Sequence, residues 1–175
     1  MKIPEVIKSE RLCIRSYDNA DIDFVSKMWF DEENGRYLSD PTFEYIDERF
    51  KKAVDELQYS ETGYYFVVCL NSGEKIGSVS AFPDENGDNY DIGYCIHKDY
   101  WKNGFGTEAV GALLDWIERK GAKSVTAEAA IENIGSCKLL EKLGFTIKEE
   151  AEFKKYNMDI KYKSYVYHKF FKEAK

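Results

Sequence analysis

The sequence is poor in the residues that staple or metallate a small protein. It has four cysteines and two histidines in 175 residues, and Cys13, Cys69, Cys95 and Cys137 are far apart along the chain with no CxxC pair. His97 and His168 do not complete a clustered ligand set, so no metal is expected and the cysteines read as reduced, mostly buried thiols. Proline is scarce, and no Pro/Ser-rich linker, low-complexity tract or internal repeat marks a boundary, so residues 1–175 read as a single domain. No apolar run approaches the roughly 20 residues of a membrane-spanning helix. Met1-Lys2-Ile3-Pro4-Glu5 lacks an apolar signal segment. The expectation is a soluble cytoplasmic protein with no membrane partner. Basic charge is also short: 25 Lys and Arg against 32 Asp and Glu, a net of −7. That argues against a nucleic-acid partner held by phosphate contacts and leaves a cationic substrate open.

Core material is plentiful. Apolar residues make up 43% and aromatic residues 15% of the chain, and a domain of this size hides roughly 70% of its unfolded surface. Arg11–Ser16 alternates as a first strand. Asp18–Phe30 follows as a helix, with Ile22, Val25, Met28 and Trp29 at helical spacing, and a charged second helix covers Tyr45–Gln58. Tyr64–Leu70 and Lys75–Phe82 form a hairpin around Asn71-Ser72-Gly73-Glu74, and Asn89–His97 is a further strand. Then come a helix over Gly104–Lys120, a strand over Lys123–Ala130, a helix over Ile134–Leu143, and strands over Phe145–Glu152 and Tyr162–Phe171. The order β-α-α-β-β-β-α-β-α-β-β predicts an α/β (α+β) fold, a mixed sheet with helices on both faces.

The segment Tyr90–Ala109 carries the most chemistry. A strand passes through a short loop into a glycine-containing turn that opens a helix. Gly104 and Gly106 permit positive φ and close backbone approach, so amides from Lys102 to Thr107 can converge at the positive end of a helix dipole. Such a cradle binds phosphate or diphosphate without a basic side chain. The plainer alternative is that the glycines only make the turn and Thr107 caps the helix. The pattern is neither GxGxxG nor a P-loop.

Trp101-Lys102-Asn103-Gly104-Phe105-Gly106 resembles the acetyl-CoA diphosphate loop of GNAT-superfamily N-acetyltransferases, [QR]xxGx[GA], with Trp101 in place of Gln or Arg. Tyr100–Ala109 is similar to the YWGKGYATEA of the branch that acetylates ribosomal-protein N-termini. Ser9–Arg15 resembles that branch's TERLxLR strand, Asp91-Ile92-Gly93-Tyr94 its EIGY strand, and Glu132–Ser136 with Glu141–Phe145 its ENxxSxxxLEKLGF helix. The resemblance spans roughly residues 9–147. It implies a GNAT-type, mostly antiparallel sheet with a splayed central strand pair, acetyl-CoA as cosubstrate, no metal, and direct transfer to a primary amine in a ternary complex. Homodimers are common in the family.

The resemblance assigns roles residue by residue. Lys102, Asn103, Gly104, Phe105, Gly106, Thr107 and Asn133 would hold CoA. Amides around Cys95 and Ile96 would polarise the thioester carbonyl, and His97 is counted with them among the cofactor-binding residues. Asp91 matches the general-base glutamate with a shorter side chain, and Glu128 is a second candidate base. Leu140 occupies the position of the usual thiolate-protonating tyrosine, leaving Ser136 or water for that role. Asn133 is also a good N-cap on local grounds, and Cys95 reads better as a buried thiol than as a nucleophile served by His97. Glu33 and Tyr37 would line the acceptor site, Tyr37 within a likeness to the branch's RYL element. Residues 31–49 are acidic, with seven carboxylates against Arg36 and Arg49, which suits a small cationic amine or a peptide N-terminus or is simply a solvated face. Tyr162, Tyr165 and Tyr167 are further candidates for the pocket. The alternative to an enzyme is a GNAT-like module that binds CoA as a sensor. A nucleotide-binding domain unrelated to acetyl transfer would rest on the glycine turn alone.

Overall fold

The computed structural model describes residues 1–43 and 48–172. Eight strands form one sheet: β1 (Ile7–Lys8), β2 (Leu12–Ser16), β3 (Tyr64–Leu70), β4 (Lys75–Pro83), β5 (Asn89–Ile96), β6 (Ser124–Ala130), β7 (Thr146–Lys154) and β8 (Lys161–Phe170). The order across it is β1-β2-β3-β4-β5-β6-β8-β7. Every pairing is antiparallel except β5 with β6. Helices α1 (Ile22–Phe30) and α2 (Glu48–Glu56) precede β3, α3 (Phe105–Arg119) links β5 to β6, and α4 (Ile134–Lys142) links β6 to β7. This is the mixed fold that the sequence predicts, with a short β1 added. The start of the expected second helix, Tyr45–Asp47, lies outside the described residues. Among those residues no helix is long and apolar enough to cross a membrane.

Alternation along the strands explains the layering. On one face, Leu12, Ile14, Phe66, Val68, Ile92 and Val125 pack with Val110, Leu113, Leu114 and Ile117 of α3 and Leu140 of α4. On the other, Val67 and Cys69 meet Val25 and Phe30 of α1 and Val54 of α2. Cys13 and Cys69, far apart in sequence, are register partners across β2 and β3. All four cysteines are free thiols.

The corner where β2 turns into α1 is built on Asp21, which is fully buried. Its carboxylate accepts a bidentate bond from Arg15 (2.7 and 2.8 Å), one from the Asp18 N–H (3.1 Å), and pairs with Lys75 of β4 at 2.7 Å. Burial alone would raise its pKa, but the Arg15 and Lys75 partners hold it below the ordinary carboxylate value. Because the folded-state value is depressed, the stabilisation is complete above the unfolded value near 4 and is lost as pH falls through the folded one. Asp21→Asn is therefore expected to cost about 3 kcal/mol at neutral pH, where it strands two cations. It should also flatten the loss of stability below about pH 4, measured by urea titration at stepped pH.

Candidate active site

The site begins with a break in the sheet. The β4–β5 ladder is fixed at both ends, where the Asp84 N–H donates to the Asn89 carbonyl (2.8 Å) and the His97 N–H to the Ile76 carbonyl (2.8 Å). Antiparallel alternation over this register turns the main-chain groups of Asp91, Gly93 and Cys95 toward β4 and those of Ile92, Tyr94 and Ile96 toward β6. β6 pairs with β5 only at Asn89↔Ser124, Tyr90↔Val125 and Asp91↔Thr126. Beyond these three positions the strands part, so Tyr94 and Ile96 present main-chain groups to a gap. The Ile96 carbonyl is taken by the Asn34 side-chain amide (3.0 Å) and the Trp101 indole (2.6 Å). The sequence-based expectation needs one correction here. The Cys95 amide faces Ser78 of β4 and the His97 N–H is spent on the Ile76 carbonyl, so neither is free, and Tyr94 joins Ile96 as the source of an amide on the open side.

The Cys95 thiol is buried beside Asn34, 3.8 Å from its amide nitrogen and 3.9 Å from its carbonyl. Burial pushes its pKa up to about 12, which suits a packed thiol and not a nucleophile. His97 stacks on Phe24 and accepts from the Asp99 N–H at 3.4 Å.

From the end of β5 the chain enters the glycine turn. Lys102 has φ +63° and Gly104 φ +80°, left-handed conformations that fold successive N–H groups into one concavity. Among the described residues, no N–H from Lys102 to Thr107 donates to a protein acceptor, and the first bond of α3 runs from Glu108 N–H to the Gly104 carbonyl (3.1 Å). Gly104 is the N-cap, so Thr107 stands inside the helix, in its first turn. At Gly106 a side chain would come within 2.9 Å of Leu139, so glycine there lets α4 approach the turn. The turn is braced from outside by Arg11, a residue whose role the sequence did not disclose. Its guanidinium lies over the Phe105 ring (4.3 Å), donates to the Asn103 carbonyl (3.1 Å) and pairs with Glu108 (2.7 Å).

On the α4 side of the gap, Asn133 accepts from the Ser136 N–H at 3.2 Å as the N-cap of α4, and the Ser136 hydroxyl lies 2.6 Å from that of Tyr94. Leu140 is core. On the opposite face, Asp91 accepts from the Thr126 hydroxyl (2.9 Å) and Glu128 from Ser164 (2.5 Å). Asp91 keeps an exposed surface, but the protein crowded around its carboxyl, and after that the nearby Glu128 charge, raise its pKa against the effect of the Thr126 bond.

The loop between α1 and α2 closes this face. Lys155, 2% exposed, donates to the carbonyls of Gly35, Leu38 and Asp40 at 2.8, 2.8 and 2.6 Å. Tyr37 packs edge-on against Tyr162 at 5.3 Å. Tyr167 points into the α3–α4 core instead of the acceptor side, and Tyr165 packs with it. Glu33 is exposed and held by Lys98 at 3.1 Å, and Asp31 also pairs with Lys98. Lys98 thus offsets part of the acidity read from residues 31–49, and Glu44 and Asp47 lie outside the described residues.

Unpaired main-chain amides at the entrance of α3 thus lie beside a parted strand pair. The acetyltransferase (GNAT) domain model matches residues 11–146. The chain belongs to the GNAT acetyltransferase family. It is 28% identical over 160 residues to YjdG, an uncharacterized N-acetyltransferase of Bacillus subtilis, covering 85% of this chain and 95% of that one. A GNAT-family acetyltransferase from Bacillus anthracis superposes with TM-score 0.80 at 23% identity, covering 95% and 98% of the two chains. Spermidine N-acetyltransferase from Vibrio cholerae, solved with CoA and spermine, gives 0.79 at 16% identity, covering 93% and 96%. As a GNAT enzyme the chain is an acetyl-CoA-dependent N-acetyltransferase, and the free amides and the gap fit a diphosphate and a pantetheine arm. Gly104→Val places a β-branched residue in the left-handed region. It is expected to weaken CoA binding at least tenfold by calorimetry, with the far-ultraviolet dichroism unchanged.

Proposed function

We propose that this enzyme acetylates a primary amine, either a small cationic amine or a peptide N-terminus, by direct attack within a ternary complex, in the manner of the ribosomal-protein N-terminal branch. The observation that supports this reading is the two-sidedness of the gap: carboxylates on the α1–α2 side, hydroxyls on the α3–α4 side, and unspent main-chain amides between them. Acetyl-CoA supplies an acyl group already activated toward nucleophiles. The amides from Lys102 to Thr107 grip its diphosphate, and Asn133 lies beside the arm. Tyr94 and Ile96 amides donate to the thioester oxygen, an interaction of about 3 kcal/mol per donor when preorganised.

An amine with pKa near 10 arrives protonated. Asp91, its pKa raised above the ordinary carboxylate value, takes the proton through water, with Glu128 as the neighbouring charge. Tyr37 and Tyr162 supply an aromatic wall that favours a cation. Ser136, on the other side of the gap, donates to the departing sulfur. Cys95, buried and facing away, forms no acyl-enzyme.

The test is thiol release from acetyl-CoA over a panel containing spermidine, spermine and short peptides with free N-termini. Turnover with at least one amine class is expected. CoA binding without turnover on any of them would instead favour the sensor. Asp91→Asn is expected to lower kcat about 10²-fold or more. It should also remove the acid-side limb, on which activity rises with pH as the Asp91 carboxyl ionises above its ordinary value near 4, read from kcat/KM from pH 4 upward.

A further inference from the structure

The pairing of Tyr94 with Ser136 carries a consequence for the leaving group. Tyr94 sits on β5 where the main chain is free of β6, and its ring is packed against the α3–α4 core. Its hydroxyl crosses to the first turn of α4, 2.6 Å from the Ser136 Oγ, and among the described residues that is its one hydrogen-bond partner. Ser136 is half-buried, and its own N–H is committed to Asn133. The other titratable group beside Tyr94 is Cys137, whose buried thiol is turned to the Ala130 carbonyl at 3.6 Å.

A serine hydroxyl has one proton and two lone pairs, and a phenol is the stronger donor of the two. We infer that Tyr94 is a positioning residue: it donates its proton to a Ser136 lone pair and so leaves the single Ser136 proton for the CoA sulfur. The inference rests on the CoA-binding part of the transferase reading, which places the sulfur at this end of the gap. It assigns Tyr94 a role that none of the sequence motifs discloses, since the usual hydroxyl of α4 is replaced by Leu140 and the phenol here comes from a strand. Burial raises the Tyr94 pKa and keeps the phenol neutral. The pair therefore stabilises the thiolate by a chain of hydrogen bonds, and no proton needs to leave Tyr94. Each link polarises the next.

The chain can be tested without knowing the acceptor amine, on the enzyme–CoA complex. The bound thiol is titrated through its ultraviolet thiolate band, with the enzyme–desulfo-CoA complex as blank. The thiol ionises more readily in the wild-type complex than in free CoA. Tyr94→Phe and Ser136→Ala each lower the ionisation constant of bound CoA about tenfold, one pKa unit. The double variant lowers it no further than Ser136→Ala, because Tyr94 acts through Ser136. CoA affinity by calorimetry stays within about twofold for Tyr94→Phe. Replacing Tyr94 with 3-fluorotyrosine, a stronger donor of nearly the same shape, raises the ionisation constant and decides the matter should the phenylalanine variant not fold. An unchanged constant in these variants, or independent and additive losses in the double variant, overturns the role of Tyr94 while leaving the transferase reading intact. A wild-type protein that does not bind CoA overturns both. CoA binding with no turnover removes the transferase reading alone, since the titration needs no amine.

Discussion

The site depends on β6 pairing with β5 for three residues and no more. Main-chain N–H and C=O groups inside a protein need partners, and a central strand normally finds them on both sides. Here the second neighbour withdraws after Asp91 and Thr126, and the groups left over are handled in two ways. The Ile96 carbonyl is satisfied from within, by Asn34 and Trp101. The amides of Tyr94 and Ile96 stay turned to the gap, donors with no strand partner on that side. The glycine turn continues the same logic, since the first turn of a helix has N–H groups with no internal acceptor.

Charge is distributed around this opening so that little of it is left unpaired by accident. Asp21 ties Arg15 and Lys75 together behind α1, and Glu108 holds Arg11 behind the diphosphate cradle. Lys98 engages Asp31 and Glu33 at the rim. What faces the open side from the sheet is Asp91 and Glu128, each steadied by one hydroxyl. In a domain whose net charge is −7, these two carboxylates are the ones the sheet presents beside the gap.

The fold and the glycine turn were legible because their signals are local. Apolar periodicity marked the helices, and Gly104 and Gly106 marked a turn whose amides have no helical acceptor. The acceptor side was much less legible. The acidic count over residues 31–49 is a property of composition, and only the fold shows that Lys98 absorbs part of it and that Lys155 arrives from the far hairpin. Tyr162, Tyr165 and Tyr167 read alike in a strand pattern. Pleating sends Tyr167 into the core and register sets Tyr162 against Tyr37. Cys95 could be read as buried from its apolar strand, but the direction of its amide is fixed by the β4 register, which no local pattern encodes. Arg11 and Tyr94 act across 97 and 42 residues of chain, and for that reason gave no signal.

Lys155 deserves a last consequence. One ammonium group closes the carbonyls of residues 35, 38 and 40, so the curvature of that loop is dictated from the tip of a hairpin some 115 residues downstream. Loop and hairpin are thereby coupled through one side chain. A loop transplanted without its lysine would arrive with three carbonyls and nothing to fold around.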